Sequence, residues 1–291
     1  MGEQNSRVMV GRIELPDGTK VFYRHMGDPN APPFLLTHGF PSSSFQFREL
    51  MPRLARRFHV VAPDLPGFGF TETPPGYVFT FDNLSRTLEA FLEAIKLPLP
   101  TPVYIFDYGA PTSMRLFLRR PDIFSTLITQ NGNAYEAGLG PAWEEAGIRN
   151  YWKSGTKADR DKLRIHNGFD AIRWQYEMGH PDPQSIAPET YALDTFLAQP
   201  AERQEALLDL FGDYKTNVAL YPDFARVLRE AQPRVLAIWG KHDVFFVPAG
   251  AEAFAADVDP SRFRLKLLEA GHFALESHVD EIAHEILDFV P

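Results

Sequence analysis

Ile105-Phe106-Asp107-Tyr108-Gly109-Ala110 carries a short apolar run into a carboxylate and then into two small residues. Val103–Phe106 has the composition of a buried strand, and Pro111 is tolerated in the first turn of a helix. Gly109 and Ala110 leave room for an abrupt strand-to-helix turn, which would raise residue 107 at the carboxyl edge of a sheet. That is where the nucleophile stands in a strand–elbow–helix motif, here with Asp in the position that many enzymes give to Ser. Ile105 occupies the place two residues before it, where the short motif has glycine.

Outward from this turn the chain alternates strand and helix patterns. Arg7–Leu15 and Lys20–Met26 flank Pro16-Asp17-Gly18 and read as a β-hairpin. Phe34–Leu36, His59–Ala62 and Leu127–Gln130 are further short apolar runs, each leading into a loop with Gly or Pro. Helical patterns lie between them, at Phe45–Ala55 and Asn83–Ile95; in the second, Leu84, Leu88, Phe91, Leu92 and Ile95 share one face. Strands that are apolar throughout, rather than alternating, fit a parallel sheet with helices on both faces. From about Ala134 to Leu220 no strand pattern is found, and aromatic and charged residues dominate. Val235–Trp239 and Arg264–Leu268 restore the strands, followed by helical patterns at Ala249–Asp257 and His278–Phe289. The expectation is one α/β core, residues 1–133 and 221–291, with a mostly parallel sheet and a helical insertion at 134–220.

Composition narrows the function class. The 291 residues are 44% hydrophobic, enough for a large core and unlike a disordered chain. A net charge of −9 disfavours nucleic acid and anionic membranes as partners. No apolar run approaches the roughly 20 residues of a membrane span. Met1–Gly11 lacks the charged-then-apolar pattern of a secretory signal, and Gly2 with Ser6 matches a myristoylation pattern too short to carry weight. The absence of cysteine excludes disulfides and thiolate catalysis, and a cytoplasmic location is the expectation. No histidine pair has metal-binding spacing in an acidic setting, so neither metal nor cofactor is expected. Oligomeric state is not readable.

Two more loops after strands offer catalytic groups: Trp239-Gly240-Lys241-His242-Asp243 and Ala270-Gly271-His272-Phe273. Asp107, Asp243 and His272 follow one another at intervals of 136 and 29 residues, in the order nucleophile, acid, histidine. Attack by Asp107 on an electrophilic carbon would form an ester. His272 would activate water to hydrolyse it, with Asp243 orienting the imidazole. The backbone N–H groups of Phe40, in Thr37-His38-Gly39-Phe40-Pro41, and of Tyr108 would make an oxyanion hole. His38 reads as a residue that shapes this loop, and Asp64 and Gly67 as residues that fix a turn. Ser113 is the nearest other nucleophile, but it falls within the helix after the elbow.

Taken in order, His38-Gly39-Phe40-Pro41, Asp64-Leu65-Pro66-Gly67-Phe68-Gly69, the Asp107 turn, Gly240–Asp243 and Gly271-His272-Phe273 resemble the α/β-hydrolase superfamily along the whole chain outside the insertion. Asp at the elbow resembles its epoxide hydrolases and haloalkane dehalogenases. The resemblance implies that the insertion is a cap over the pocket. It also implies a small, apolar, electrophilic substrate. His-Gly-Phe-Pro is similar to the epoxide-hydrolase loop, and Tyr108 stands where dehalogenases typically carry Trp. Tyr214, 29 residues before Asp243, and Tyr151, 44 after Asp107, resemble ring-opening tyrosines. Ile105 and Trp152 resemble dehalogenases instead, and Trp152 could donate an N–H to halide. Fluoroacetate-type enzymes carry arginines where this chain has Tyr108 and Pro111. The expected activity is epoxide hydrolysis to a diol. The alternatives are haloalkane dehalogenation by the same two steps, and a non-catalytic small-molecule binder on the same fold.

Overall fold

The computed structural model describes residues 7–291; Gly2 and Ser6, with the pattern they form, lie outside the described residues. Among those residues, eight strands form one sheet: β1 (Met9–Glu14), β2 (Lys20–Met26), β3 (Pro33–Thr37), β4 (His59–Pro63), β5 (Thr101–Phe106), β6 (Phe124–Gln130), β7 (Arg234–Gly240) and β8 (Phe263–Leu268). Their spatial order is β1-β2-β4-β3-β5-β6-β7-β8. β1 and β2 pair antiparallel as a hairpin, β2 is antiparallel to β4, and every later pairing is parallel.

Each central strand feeds two cores at once, because successive side chains point to opposite faces. Phe34, Leu36, Tyr104, Phe106, Leu236 and Ile238 enter one hydrophobic cluster. Leu35, Val103, Ile105, Leu127 and Val235, the alternate residues, enter the other. Ile105 therefore packs away from the site face, on the side of α3. The helices follow from the same division. α1 (Leu50–Leu54) supplies Leu50 and Leu54 to the first cluster; α2 (Phe81–Ala94) and α3 (Gly109–Arg119) supply Leu88, Phe91, Met114 and Phe117 to the second. The pattern at Phe45–Ala55 resolves into a 3₁₀ turn, Ser44–Phe47, and the short α1.

The stretch between β6 and β7 is helical: α4 (Ala142–Glu145), α5 (Ile148–Ser154), α6 (Lys157–Lys162), α7 (Phe169–Glu177), α8 (Glu189–Ala198), α9 (Ala201–Asp213) and α10 (Lys215–Ala231), with a 3₁₀ turn at Leu163–Asn167. α10 runs unbroken through position 220, and its Phe224, Val227 and Leu228 enter the second core cluster. α11 (Pro248–Ala253) and α12 (Leu275–Phe289) close the chain, with Ile282, Ile286 and Phe289 of α12 buried in the first cluster. No helix among the described residues is long and apolar enough to cross a membrane.

Candidate active site

Neighbouring parallel strands end at the same edge, so the loops after β3, β5, β6, β7 and β8 converge there. Asp107 follows β5 directly and has φ +46°, the left-handed conformation that an abrupt turn demands. α3 then starts at Gly109. A Cβ on Gly109 would stand 2.4 Å from the Thr37 carbonyl oxygen, so only glycine lets the turn pass under the β3 loop. Gly39 is as constrained, since a Cβ there would meet Asp107 Oδ1 at 2.3 Å.

These two close approaches bring the Phe40 N–H to Asp107 Oδ1, at 2.5 Å. The Tyr108 N–H also bonds this carboxylate. The other oxygen, Oδ2, lies 3.8 Å from His272 Nε2. His272 Nδ1 sits 2.6 Å from Asp243 Oδ2. Asp243 in turn accepts the N–H groups of Phe245 and Phe246 on Oδ1, at 2.8 and 3.1 Å, which fixes its carboxylate plane. Asp107, His272 and Asp243 are buried, at 6, 2 and 2% exposure.

Burial disfavours charge, and it pushes the Asp107 carboxyl up to about 6 against the opposing pull of His272 and of the two backbone N–H groups. Burial lowers the His272 imidazole, but the charge and hydrogen bond of Asp243, with the charge of Asp107, outweigh it and leave it above the usual histidine value. With a value of about 6, Asp107 is largely a carboxylate at neutral pH, and His272 is the neighbour that most opposes the effect of burial on it.

Asn131 was not legible as a site residue, yet it ties the arrangement together. It ends β6 in the left-handed conformation, φ +47°. Its amide donates to Asp243 Oδ2 at 2.7 Å and its carbonyl accepts the Gly240 N–H at 2.9 Å. Gln130 donates to the His272 carbonyl at 3.0 Å. A polar Gln-Asn pair closing an apolar strand was the available signal. His38 is buried and shapes the loop: its Nε2 accepts the Leu65 N–H, so Nδ1 carries the proton and donates to the Gly39 carbonyl. Asp64 accepts the N–H groups of Ser44 and Phe70, and Gly67 has φ +90°.

A cavity of ≈ 30 Å³ touches Asp107 and His272, walled by Phe40, Tyr108, Trp143, Phe211 and Phe246. Tyr151, Trp152 and Tyr214, singled out from the sequence, do not line it. Tyr151 and Trp152 face a separate outer cavity with Asp209 and Lys215. The Trp152 indole N–H is committed to the Phe211 carbonyl at 2.7 Å. Tyr214 lies one ring behind the wall, 5.6 Å from the Tyr108 ring and 4.5 Å from that of Trp143, with its hydroxyl 3.3 Å from that of Tyr221. The reason is packing: Trp143 and Tyr108 fill the space through which the Tyr214 phenol would otherwise reach. Ser113 is buried in α3, its hydroxyl against that of Thr37 at 3.2 Å. Among the described residues no group of three or more His, Asp or Glu is placed to hold a metal.

A parallel sheet with an elbow, an acid loop and a histidine loop at one edge defines an α/β hydrolase. Residues 32–279 match the alpha/beta hydrolase fold family, and the chain belongs to it. It is 42% identical to the uncharacterized hydrolase YNR064C of Saccharomyces cerevisiae, over 95% of each protein. It is 26% identical to haloalkane dehalogenase 2 of Mycobacterium tuberculosis, over 94% of this chain and 92% of that one. Among solved structures, the epoxide hydrolase CorEH superposes with a TM-score of 0.76 at 17% identity, over 97% of this chain and 98% of that one.

Proposed function

We propose that the protein hydrolyses epoxides through a covalent alkyl ester on Asp107. Asp107 Oδ2 attacks a saturated ring carbon, and the C–O bond breaks. The alkoxide takes a proton from a phenol beside the cavity, a role this reading gives to Tyr108, which lines it. His272 then removes a proton from water, and the hydroxide adds to the Asp107 carboxyl carbon while the Phe40 and Tyr108 N–H groups hold the oxyanion. Collapse breaks the ester, and the alkoxide released takes the proton from His272. The carboxylic acid left on Asp107 returns its proton to the phenolate. The sum is epoxide plus water to diol. Asp243, held by Asn131, orients His272, and the helical segment 134–220 serves as the cap.

The observation that carries the choice of leaving group is where the donors are spent. Halide needs N–H donors, and the indoles of Trp143 and Trp152 are both bonded to backbone carbonyls, of Phe245 and Phe211. An alkoxide needs an acidic hydroxyl. The buried Tyr108 hydroxyl has no partner among the described residues. Burial, then the charge of Asp107, raises its pKa, so it stays protonated until an alkoxide forms beside it. Dehalogenation is the second reading, favoured by 26% identity to a haloalkane dehalogenase along nearly the whole chain. Diol formation and halide release assayed side by side separate the two. Halide release without epoxide turnover would sink the proposal. Inactivity of wild type on both, with no adduct on His272→Gln protein, would favour the non-catalytic binder.

A further inference from the structure

The catalytic cavity is too small for more than a reacting head group, yet it has a neighbour. A second cavity of ≈ 600 Å³ opens to solvent between α7 and the turn at 163–167. His166, Gln175 and Phe245 face both spaces, so they form the neck between them. Ile165, Phe169 and Trp174 line the outer space and are 70, 44 and 45% exposed. Large apolar groups left in water at the mouth of a cavity mark a surface that gains by being covered.

The neck is chemically distinct. Gln175 is 5% exposed and carries a carboxamide that can both donate and accept. Because it faces both cavities, a polar group of a ligand threading the neck can pair with it. His166 Nε2 lies 2.9 Å from the Ala146 carbonyl, which can only accept; Nε2 therefore carries the proton and Nδ1 is the ring's free acceptor. Burial lowers this imidazole, so it stays neutral. The charged side chains on the outer space are Glu145 and Asp170, both acidic, and no lysine or arginine lines either cavity.

We infer that the outer cavity holds the tail of the substrate: a neutral, elongated epoxide whose ring reaches Asp107, whose polar group binds Gln175 in the neck, and whose apolar end covers Ile165, Phe169 and Trp174. This rests on the epoxide-hydrolase reading. It adds that the substrate is three-part and uncharged.

The test is a series of terminal epoxyalkanes of rising length, with matched members carrying a mid-chain hydroxyl or ending in a carboxylate. Wild-type kcat/KM should rise about threefold per added methylene once the chain passes the neck. Ile165→Asp and Trp174→Ala should flatten that rise, and Gln175→Leu should remove any advantage of the hydroxyl. Carboxylate-ended members should be poorer by roughly tenfold than their methyl esters. Equal slopes in wild type and the two rim variants would overturn the inference. Equilibrium binding of alkanediols of the same lengths, followed by tryptophan fluorescence, keeps the two readings apart. If wild type turns over no epoxide, the functional proposal fails on its own. Length-dependent diol binding that the rim variants abolish would still support the tail site, and length-independent binding would overturn it.

Discussion

At the scale of the residue, the site holds a charge where burial opposes one. The Asp107 carboxyl rises to about 6, and His272 is among the groups that keep it from rising further. Ester formation needs the carboxylate, so the rate of adduct formation should fall as pH drops below about 6. His272→Gln removes the group that most opposes the rise. In that variant the adduct should accumulate on the peptide containing Asp107, and the acid limb of its formation should move to higher pH. Adduct mass followed against pH checks both, and an unmoved limb would mean that His272 does not set the charge state of Asp107. The same shift bears on stability. A carboxyl with a raised folded value favours folding below its unfolded value and loses that contribution as pH rises through about 6. Asp107→Asn should therefore stabilise the protein at pH about 8, by of order 1–3 kcal/mol, and by about half as much near pH 5. Thermal unfolding at the two pH values reads the difference.

Single elements of the fold were legible to the extent that their chemistry is local. The apolar runs at Phe34–Leu36, His59–Ala62 and Val235–Trp239 lie within β3, β4 and β7, because a strand covered on both faces has no polar position to blur its limits. Asp107, His272 and Asp243 were legible because glycines and strand ends announce such loops. Asn131 was not, because its role depends on two strands being neighbours in space and not in sequence. Asn is among the few residues that accept its φ of +47°. Asn131→Gly keeps the backbone and removes both side-chain bonds. Steady-state kcat should fall roughly tenfold through slower ester hydrolysis, with adduct formation less affected. Equal losses in both steps would show a role other than positioning Asp243. For the aromatic residues of the helical segment the spacing is legible and the direction is not. Trp152 bonds Phe211 and stacks on Tyr214 with an interplanar angle of 1°. Trp152→Phe should then cost about 1–3 kcal/mol of stability and leave the chemical step within a few-fold. A selective loss of halide release would instead make its N–H a leaving-group donor.

For the whole molecule, the question is how the helical segment is held to the sheet. The boundary expected at 220 falls inside α10, since a helix that packs on both parts shows no break in its pattern. The joint nearest the site was invisible in the sequence. Tyr176 of α7 stacks on Phe273, the residue after the histidine, with centroids 3.8 Å apart. Its hydroxyl donates to Asp194 of α8 at 2.6 Å. Burial pushes the Asp194 carboxyl up to about 8; the Tyr176 bond opposes this, and the charges of Glu276 and Asp64 reinforce it. At neutral pH Asp194 is thus a neutral acid inside the joint. Its raised folded value sets the sign: the folded protein keeps a proton that the unfolded chain releases near 4, so stability falls as pH rises from about 4 through about 8. Asp194→Asn keeps an acceptor for Tyr176 and removes the titration. The variant should lose less Tm than wild type between about pH 6 and pH 9, and local hydrogen exchange in α7 and α8 should lose its pH dependence beyond the intrinsic rate. Parallel Tm curves for the two proteins would show that this carboxyl does not couple the helical segment to the sheet.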